Sequence, residues 1–184
     1  MDGYASVFNQ RSKLMLEKGK VFFEIIKPGA FDEVLQKEDL NVKAVVDHNP
    51  EKLLGRTKSG TLLLSVDDKG LKYSILMGNT QLHKDTLEMV ERGDLYESSF
   101  IFSIKPGDST FTRDENGNLL HIVNKISGLY DVTLATDGAY ANTDVSIRKA
   151  ISDYELEEAK EKLKLIQEEN NNKRNYIIEL KNSL

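Results

Sequence analysis

A serine in a regular strand is the first residue in this sequence that could do chemistry. Phe100 and Phe102 alternate with Ser99, Ile101 and Ser103, which is the period of a β-strand with two unlike faces. If the phenylalanines anchor one face in a core, Ser99 lies on the opposite face. A hydroxyl held on a rigid strand suits a nucleophile, because its position is fixed. The alternative interpretation is the polar outer face of an ordinary strand.

A serine nucleophile needs a base, and histidine is the side chain whose ordinary pKa fits that task. The sequence has three histidines. His48 follows an apolar strand that ends at Val46 and precedes a predicted Asn49-Pro50 turn, and catalytic groups often lie at strand ends. His83 falls on the apolar half of a predicted helix and His121 within an apolar strand, so structural roles are expected for both. His48 is the candidate base, with a structural role as its alternative.

Composition excludes several other classes of function. The chain has 184 residues, enough for one domain with an appendage. Its net charge of −5 argues against a protein that binds duplex DNA. The absence of cysteine rules out disulfides, a thiolate nucleophile and cysteine metal sites, and no cofactor is expected. We find neither an apolar run of about 20 residues nor a signal peptide, so we expect no membrane partner and synthesis in the cytosol.

The elements that must position these residues are mostly strands. Alternating and apolar runs bounded by turn signals predict a compact, barrel-like α+β domain over residues 1–148, with one amphipathic helix and one short helix. The predicted strands are residues 3–8, 21–26, 42–46, 61–66, 71–76, 95–104, 119–126 and 128–134, and the predicted helices are residues 31–36 and 81–92.

The carboxy-terminal segment, residues 149–184, has a different pattern. Two sets of positions seven residues apart interleave as a heptad, with charged residues between them, which predicts a long helix. This helix either forms a coiled coil, with self-association of the chain, or packs on its own domain. The two sets are Leu156, Leu163, Asn170, Ile177 and Leu184, and Ala159, Ile166, Lys173 and Leu180.

A spaced set of short motifs resembles the tailed-phage prohead protease family over residues 3–148. The motifs are Gly3-Tyr4-Ala5, Glu24 to Phe31, Asp47-His48-Asn49-Pro50, Leu54 to Thr57, Ser59 to Leu62, Asp67 to Leu71, Arg92-Gly93-Asp94, Ser98-Ser99-Phe100, Tyr130 to Thr133, Ala139-Tyr140 and Arg148.

The resemblance implies a serine endopeptidase, similar in fold to the herpesvirus assemblins, that needs no cofactor. Its expected substrates are the scaffold and the major capsid protein, inside the immature phage head in the bacterial cytoplasm. Carried over residue by residue, the family's histidine falls on His48, its serine on Ser99 and its acidic residue on Asp131. Herpesvirus-type proteases use a second histidine as the third member, which would point to His121 instead. Nucleic acid and membranes are not expected partners.

Two other functions remain open at this point. One is a structural capsid or scaffold component that has kept the fold but lost activity. The other is an interaction module in which the carboxy-terminal helix does the work and the body is only a platform.

Overall fold

The computed structural model describes residues 1–17, 20–136 and eight residues of the carboxy-terminal segment, namely 157, 158, 160–162, 164, 165 and 168. The chain divides into two units, residues 1–147 and 148–184. The first unit is built of strands and few helices, so the predicted α+β class is confirmed.

The strands are β1 (Asp2–Val7), β2 (Met15–Glu17), β3 (Lys20–Ile26), β4 (Lys43–Val46), β5 (Asn49–Arg56), β6 (Leu62–Val66), β7 (Gly70–Ile75), β8 (Glu97–Ser103), β9 (Ser109–Arg113), β10 (Leu119–Val123) and β11 (Gly128–Ala135). The helices are α1 (Asp32–Leu35) and α2 (Gln81–Glu91), with a 3₁₀ turn at Thr57–Ser59.

These strands form three sheets, with orders β1-β7-β6, β2-β3-β10-β9 and β5-β4-β11-β8. β11 lies in the middle of the third sheet, parallel to β4 and antiparallel to β8. The predicted barrel is wrong, because the strands of the described region form no closed barrel. Strands β1 and β8 lie side by side without a ladder of hydrogen bonds between them. Hydrophobic alternation predicts strands but not which edges pair, and the sheets remain open here.

An aromatic cluster holds the inner face of β8. The rings of Phe100 and Phe102 stack with centroids 5.1 Å apart, and Phe31 meets Phe100 edge-on at 5.6 Å. Phe8 extends the cluster to β1 through Phe31 at 6.1 Å. Such pairs contribute about 0.5–1.5 kcal/mol each beyond the burial of their area. The predicted inner face of the serine strand is therefore observed, and it fixes which way Ser99 points.

The sequence interpretation missed β5. Asn49-Pro50 was predicted as a turn because Pro ends most regular elements. Asn49 instead begins β5, and the turn lies two residues earlier, at Asp47-His48. β5 is an edge strand of its sheet. Proline is tolerated there, since an edge leaves one row of N–H groups unpaired. The short edge strand β2 was missed as well, and β9 was predicted only as the segment before a hairpin turn at residues 114–117.

Helix α2 agrees with its prediction. Thr80 caps its amino terminus, where its hydroxyl accepts a hydrogen bond from the His83 N–H. Thr86, on the predicted inner half, is fully buried, and Gly93 follows the helix with a φ of 78°. No helix among the described residues is long and apolar enough to cross a membrane.

The predicted carboxy-terminal helix falls mostly outside the described residues. The eight residues described there are helical. The full-length helix, its coiled coil and any self-association through it stay predictions.

Candidate active site

The third sheet brings together residues from strands that are distant in sequence. In the ladder between β8 and β11, Ser99 is paired with Thr133 and Ile101 with Asp131. Paired residues project from the same face of a sheet, and so do residues two apart on one strand. Ser99, Asp131 and Thr133 therefore share one face, and the face behind them carries Phe100.

A β-bulge at Tyr130 sets this arrangement. Leu129 pairs with Phe102 and Asp131 with Ile101, so Tyr130 is an extra residue in β11. Without it, Leu129 and Asp131 would lie on the same face. With it, Leu129 is buried on the side of Phe102 while Asp131 turns to the side of Ser99. Bulges redirect side chains in this way beside functional sites.

His48 lies in the two-residue turn between β4 and β5. Asp47 and His48 have φ values of 50° and 52°, both in the left-handed region. This is the backbone of a type I′ hairpin turn, which normally uses Asn-Gly or Asp-Gly. A left-handed residue other than glycine costs of order 1–3 kcal/mol unless its surroundings hold it. The surroundings must therefore stabilise this turn.

The His48 ring is oriented by a carboxylate. Its Nδ1 lies 2.9 Å from Oδ1 of Asp131, and the two side chains are only 13% and 11% exposed. A carboxylate accepts hydrogen bonds only, so Nδ1 carries the proton and donates it. The second ring nitrogen, Nε2, is then the one with a free lone pair. Nε2 is buried and has no hydrogen-bond partner.

Ser99 is also buried and unpaired. The residue is 1% exposed, and its Oγ has no hydrogen-bond partner. Ser99 Oγ and His48 Nε2 are thus two buried polar atoms at one sheet, one a possible donor and the other a possible acceptor. No hydrogen bond joins them in this structure. Buried polar atoms without partners are uncommon in native proteins, and a catalytic role is one of the recognised explanations.

Comparison with known proteins gives one match. The family model described as caudovirus prohead serine protease matches residues 1–160. The chain belongs to this family. It is a family of serine peptidases, so the protein is a protease. No curated protein and no solved structure matches it, and the predicted similarity to herpesvirus assemblins stays a prediction.

The neighbouring Ser98 of this prohead protease has a different environment. Its Oγ lies 2.8 Å from the hydroxyl of Tyr73, on the opposite side of β8 from Ser99. Burial raises the pKa of Tyr73, and the hydrogen bond with Ser98 only partly offsets this. The phenol therefore stays protonated over the physiological range. Ser98 contributes to the packing between β7 and β8.

The other two histidines have partners away from His48. His121 Nδ1 lies 2.9 Å from Glu24 Oε2, and both side chains are fully buried in the second sheet. The His121 ring also stacks on Phe111, with centroids 4.4 Å apart. His83 Nδ1 accepts a hydrogen bond from the Gly78 N–H, and its Nε2 lies 3.0 Å from the Leu54 carbonyl oxygen. His48 thus donates its hydrogen bond to Asp131, whereas His121 is paired with Glu24.

Sequence reasoning missed the residues that hold the turn of the prohead protease. The His48 N–H donates to the Thr133 hydroxyl, and Asp47 Oδ1 accepts two hydrogen bonds from Thr136. The only available signal was the spacing of Asp131 and Thr133, which puts them on one face of a strand. Asp-His carries no turn signature comparable to Asn-Gly.

A cleft adjoins the amino-terminal end of β8. It has a volume of about 260 Å³ and is lined by residues 4–7 of β1, the following residues 10–13, Glu97 and Ser98.

Among the described residues, no three His, Asp or Glu side chains lie together as a metal site would require.

Proposed function

We propose that this protease is the maturation endopeptidase of a phage prohead, with Ser99 as nucleophile, His48 as base and Asp131 as the residue that orients the base. Its substrates are the scaffold and segments of the major capsid protein, and it works inside the assembling head in the host cytoplasm. One observation carries the assignment. Asp131 accepts a hydrogen bond from the Nδ1–H of His48, so Nε2 is the basic ring nitrogen, at the same sheet as an unpaired serine hydroxyl.

The mechanism follows from this tautomer. His48 Nε2 takes the proton of the Ser99 hydroxyl while Oγ bonds to the scissile carbonyl carbon, and the carbonyl π electrons move to its oxygen. The tetrahedral intermediate then expels the amine, which receives the same proton from Nε2. Water repeats the sequence on the acyl-enzyme, releases the carboxylic acid and regenerates the serine.

Asp131 has two tasks in this scheme. It holds the imidazole in the tautomer whose free lone pair is on Nε2, and it stabilises the imidazolium that forms in each transition state. Its buried setting strengthens the second effect, because electrostatic interactions are weakly screened away from water.

The reacting atoms have to become accessible before catalysis. Ser99 Oγ and His48 Nε2 are both buried and are not hydrogen-bonded to each other. Hydrogen bonds of this kind are often long or absent in free enzymes and form when substrate binds. We therefore expect substrate binding to open the site and to bring the two atoms together.

The test is co-expression with the major capsid protein and scaffold of the same phage, followed by intact-mass analysis of the products. Ser99→Ala should abolish cleavage, since no other group supplies the nucleophile. Ser98→Ala is the matched control, because it removes an identical hydroxyl from the other face of the same strand. It should leave most of the cleavage.

The opposite ranking of the two serine variants would overturn the assignment of the nucleophile. A wild-type chain that folds and assembles but cleaves nothing, and does not react with a fluorophosphonate, would favour the inactive capsid component.

A further inference from the structure

The turn that carries His48 is anchored by the strand in the middle of the sheet. The Asp47 N–H donates to the Leu134 carbonyl oxygen at 2.9 Å, and the His48 N–H donates to Thr133 Oγ1 at 3.0 Å. Asp47 Oδ1 accepts hydrogen bonds from the Thr136 N–H and hydroxyl, at 2.8 and 3.0 Å. Every one of these anchors comes from β11 or the residue that follows it.

Thr133 is the anchor nearest to the chemistry. It is fully buried, it follows Asp131 by two positions on the same strand face, and it is paired with Ser99. Its single hydroxyl proton points to a main-chain carbonyl, with the Val45 oxygen at 3.1 Å. Its oxygen accepts the His48 N–H. Thr133 thus ties β4, the turn and β11 together through one atom.

The bonding of Thr133 also affects Ser99. Two hydroxyls on directly paired residues of neighbouring strands would often hydrogen-bond to each other. Here the Thr133 proton is already used, and Ser99 Oγ has no partner. Thr133 therefore donates no hydrogen bond to the Ser99 oxygen.

We propose that Thr133 is a positioning residue of the protease, which fixes the His48 turn through the His48 N–H and directs its own hydroxyl proton away from Ser99. The inference rests on the proposed function, because it assigns a role relative to His48 and Ser99. It requires that the hydroxyl of Thr133, and not merely its volume, matter for turnover.

Two substitutions separate the effect of the Thr133 hydroxyl from the effect of its side-chain volume. Thr133→Val keeps the branched shape and removes the hydroxyl, whereas Thr133→Ser keeps the hydroxyl and removes a methyl group. With a peptide spanning a mapped cleavage site, Thr133→Val should lower kcat by about 10- to 100-fold with KM nearly unchanged, as expected for a misplaced base. Thr133→Ser should stay within about threefold of wild type, because it can make both hydrogen bonds. Thr112→Val, on the exposed side of β9, controls for loss of a strand threonine hydroxyl.

Nuclear magnetic resonance of the His48 ring gives a readout that a purely structural role would not move. In Thr133→Val the Nδ1 proton should exchange faster with water, because the turn no longer holds the ring against Asp131. In Thr133→Ser its exchange should match wild type. If Thr133→Val does not fold, Asp47→Ala provides the test instead. It removes the hydrogen bonds between Asp47 and Thr136 without altering the core. It should lower kcat several-fold.

Three results would overturn the inference. One is a folded Thr133→Val with kcat within about threefold of wild type, and another is a Thr133→Ser that fails as badly as Thr133→Val. The third is an Asp47→Ala of unchanged kcat where Thr133→Val cannot be measured. These three results can be told apart from a failure of the proposed function. If the proposed function were wrong, the Ser99→Ala variant would still cleave the substrate.

Discussion

Ser99 and Thr133 face each other on neighbouring antiparallel strands, and only the threonine hydroxyl has hydrogen-bond partners. The pairing links the candidate nucleophile to the strand that also carries Asp131 and anchors the His48 turn. One central strand, β11, therefore contacts all parts of the candidate site.

Asp131→Asn should lower turnover by roughly 10³- to 10⁴-fold, the loss seen when the orienting carboxylate of a serine protease is neutralised. The amide keeps the size of the side chain but can donate to Nδ1 and so favour the wrong His48 tautomer. Peptide cleavage at saturating substrate measures the effect. His121→Gln is the comparison, and a folded His121→Gln should lose far less. A larger loss of turnover in His121→Gln than in Asp131→Asn would mean that His121, and not Asp131, orients His48.

The buried pair of Glu24 and His121 should matter for stability. His121→Leu leaves the Glu24 carboxyl group buried without its partner and should lower the free energy of unfolding by about 3–5 kcal/mol. Replacing both residues with apolar ones, as Glu24→Met with His121→Leu, should restore most of that loss, because no buried polar group is stranded. Urea unfolding of both variants and wild type provides the values. Equal destabilisation by the single and double changes would contradict this explanation.

Asp114 predicts an acid-dependent contribution to stability. Hydrogen bonds from the Asn118 side chain and from the Asn118 and Asn116 N–H groups, together with Arg11, lower its pKa from 3.8 to about 2. A carboxyl group whose pKa is lower in the folded state stabilises it above the unfolded pKa and stops doing so as the pH falls through the folded one.

The measurement is the difference in unfolding free energy between wild type and Asp114→Asn at several pH values. It should be constant above about pH 5 and shrink steadily between about pH 4 and pH 2. A difference that does not change with pH would mean that the charge of Asp114 does not stabilise the turn between β9 and β10.

The carboxy-terminal segment should be dispensable for the chemistry. Residues 1–147 form a unit of their own and contain every residue assigned to the mechanism. A chain ending after Arg148 should therefore still cleave peptide, while the amount of enzyme incorporated per head should fall, since a heptad helix suits docking to scaffold helices. Circular dichroism confirms folding of the shortened chain. A folded but inactive truncation would show that residues beyond 148 complete the active body, as the family match to residue 160 allows.

The sequence predicts the strands of this protein well, because two-residue alternation and turn signals are local. The serine strand, with Phe100 inside and Ser99 opposite, follows from alternation alone. His48 stands out by its place at a strand end, whereas Asp131 could be named only through a family resemblance, since their meeting depends on sheet order. Strand β5 was not predicted, because Pro50 indicates the end of a strand, although an edge strand tolerates proline.

Two features had no sequence signal that we can identify. The bulge at Tyr130 reverses the face of Asp131 relative to Leu129, and simple alternation would have put both inward. The left-handed Asp47-His48 turn lacks glycine and is held by contacts with Thr133 and Thr136, far along the chain. Both are tertiary effects, in which distant partners decide local backbone geometry.

The central position of β11 has a consequence for the time at which activity can arise. His48 and Asp131 are 83 positions apart, and β11 is the last strand to be synthesised among those described. While a ribosome is still making the chain, the place between β4 and β8 is empty, so the histidine turn has no anchors and the serine strand has no neighbour on that side. With the proposed triad, we expect a growing chain to be inert until translation of the body is nearly complete. Under that assignment, the order in which its strands emerge would keep an unfinished protease from cleaving the host's own proteins.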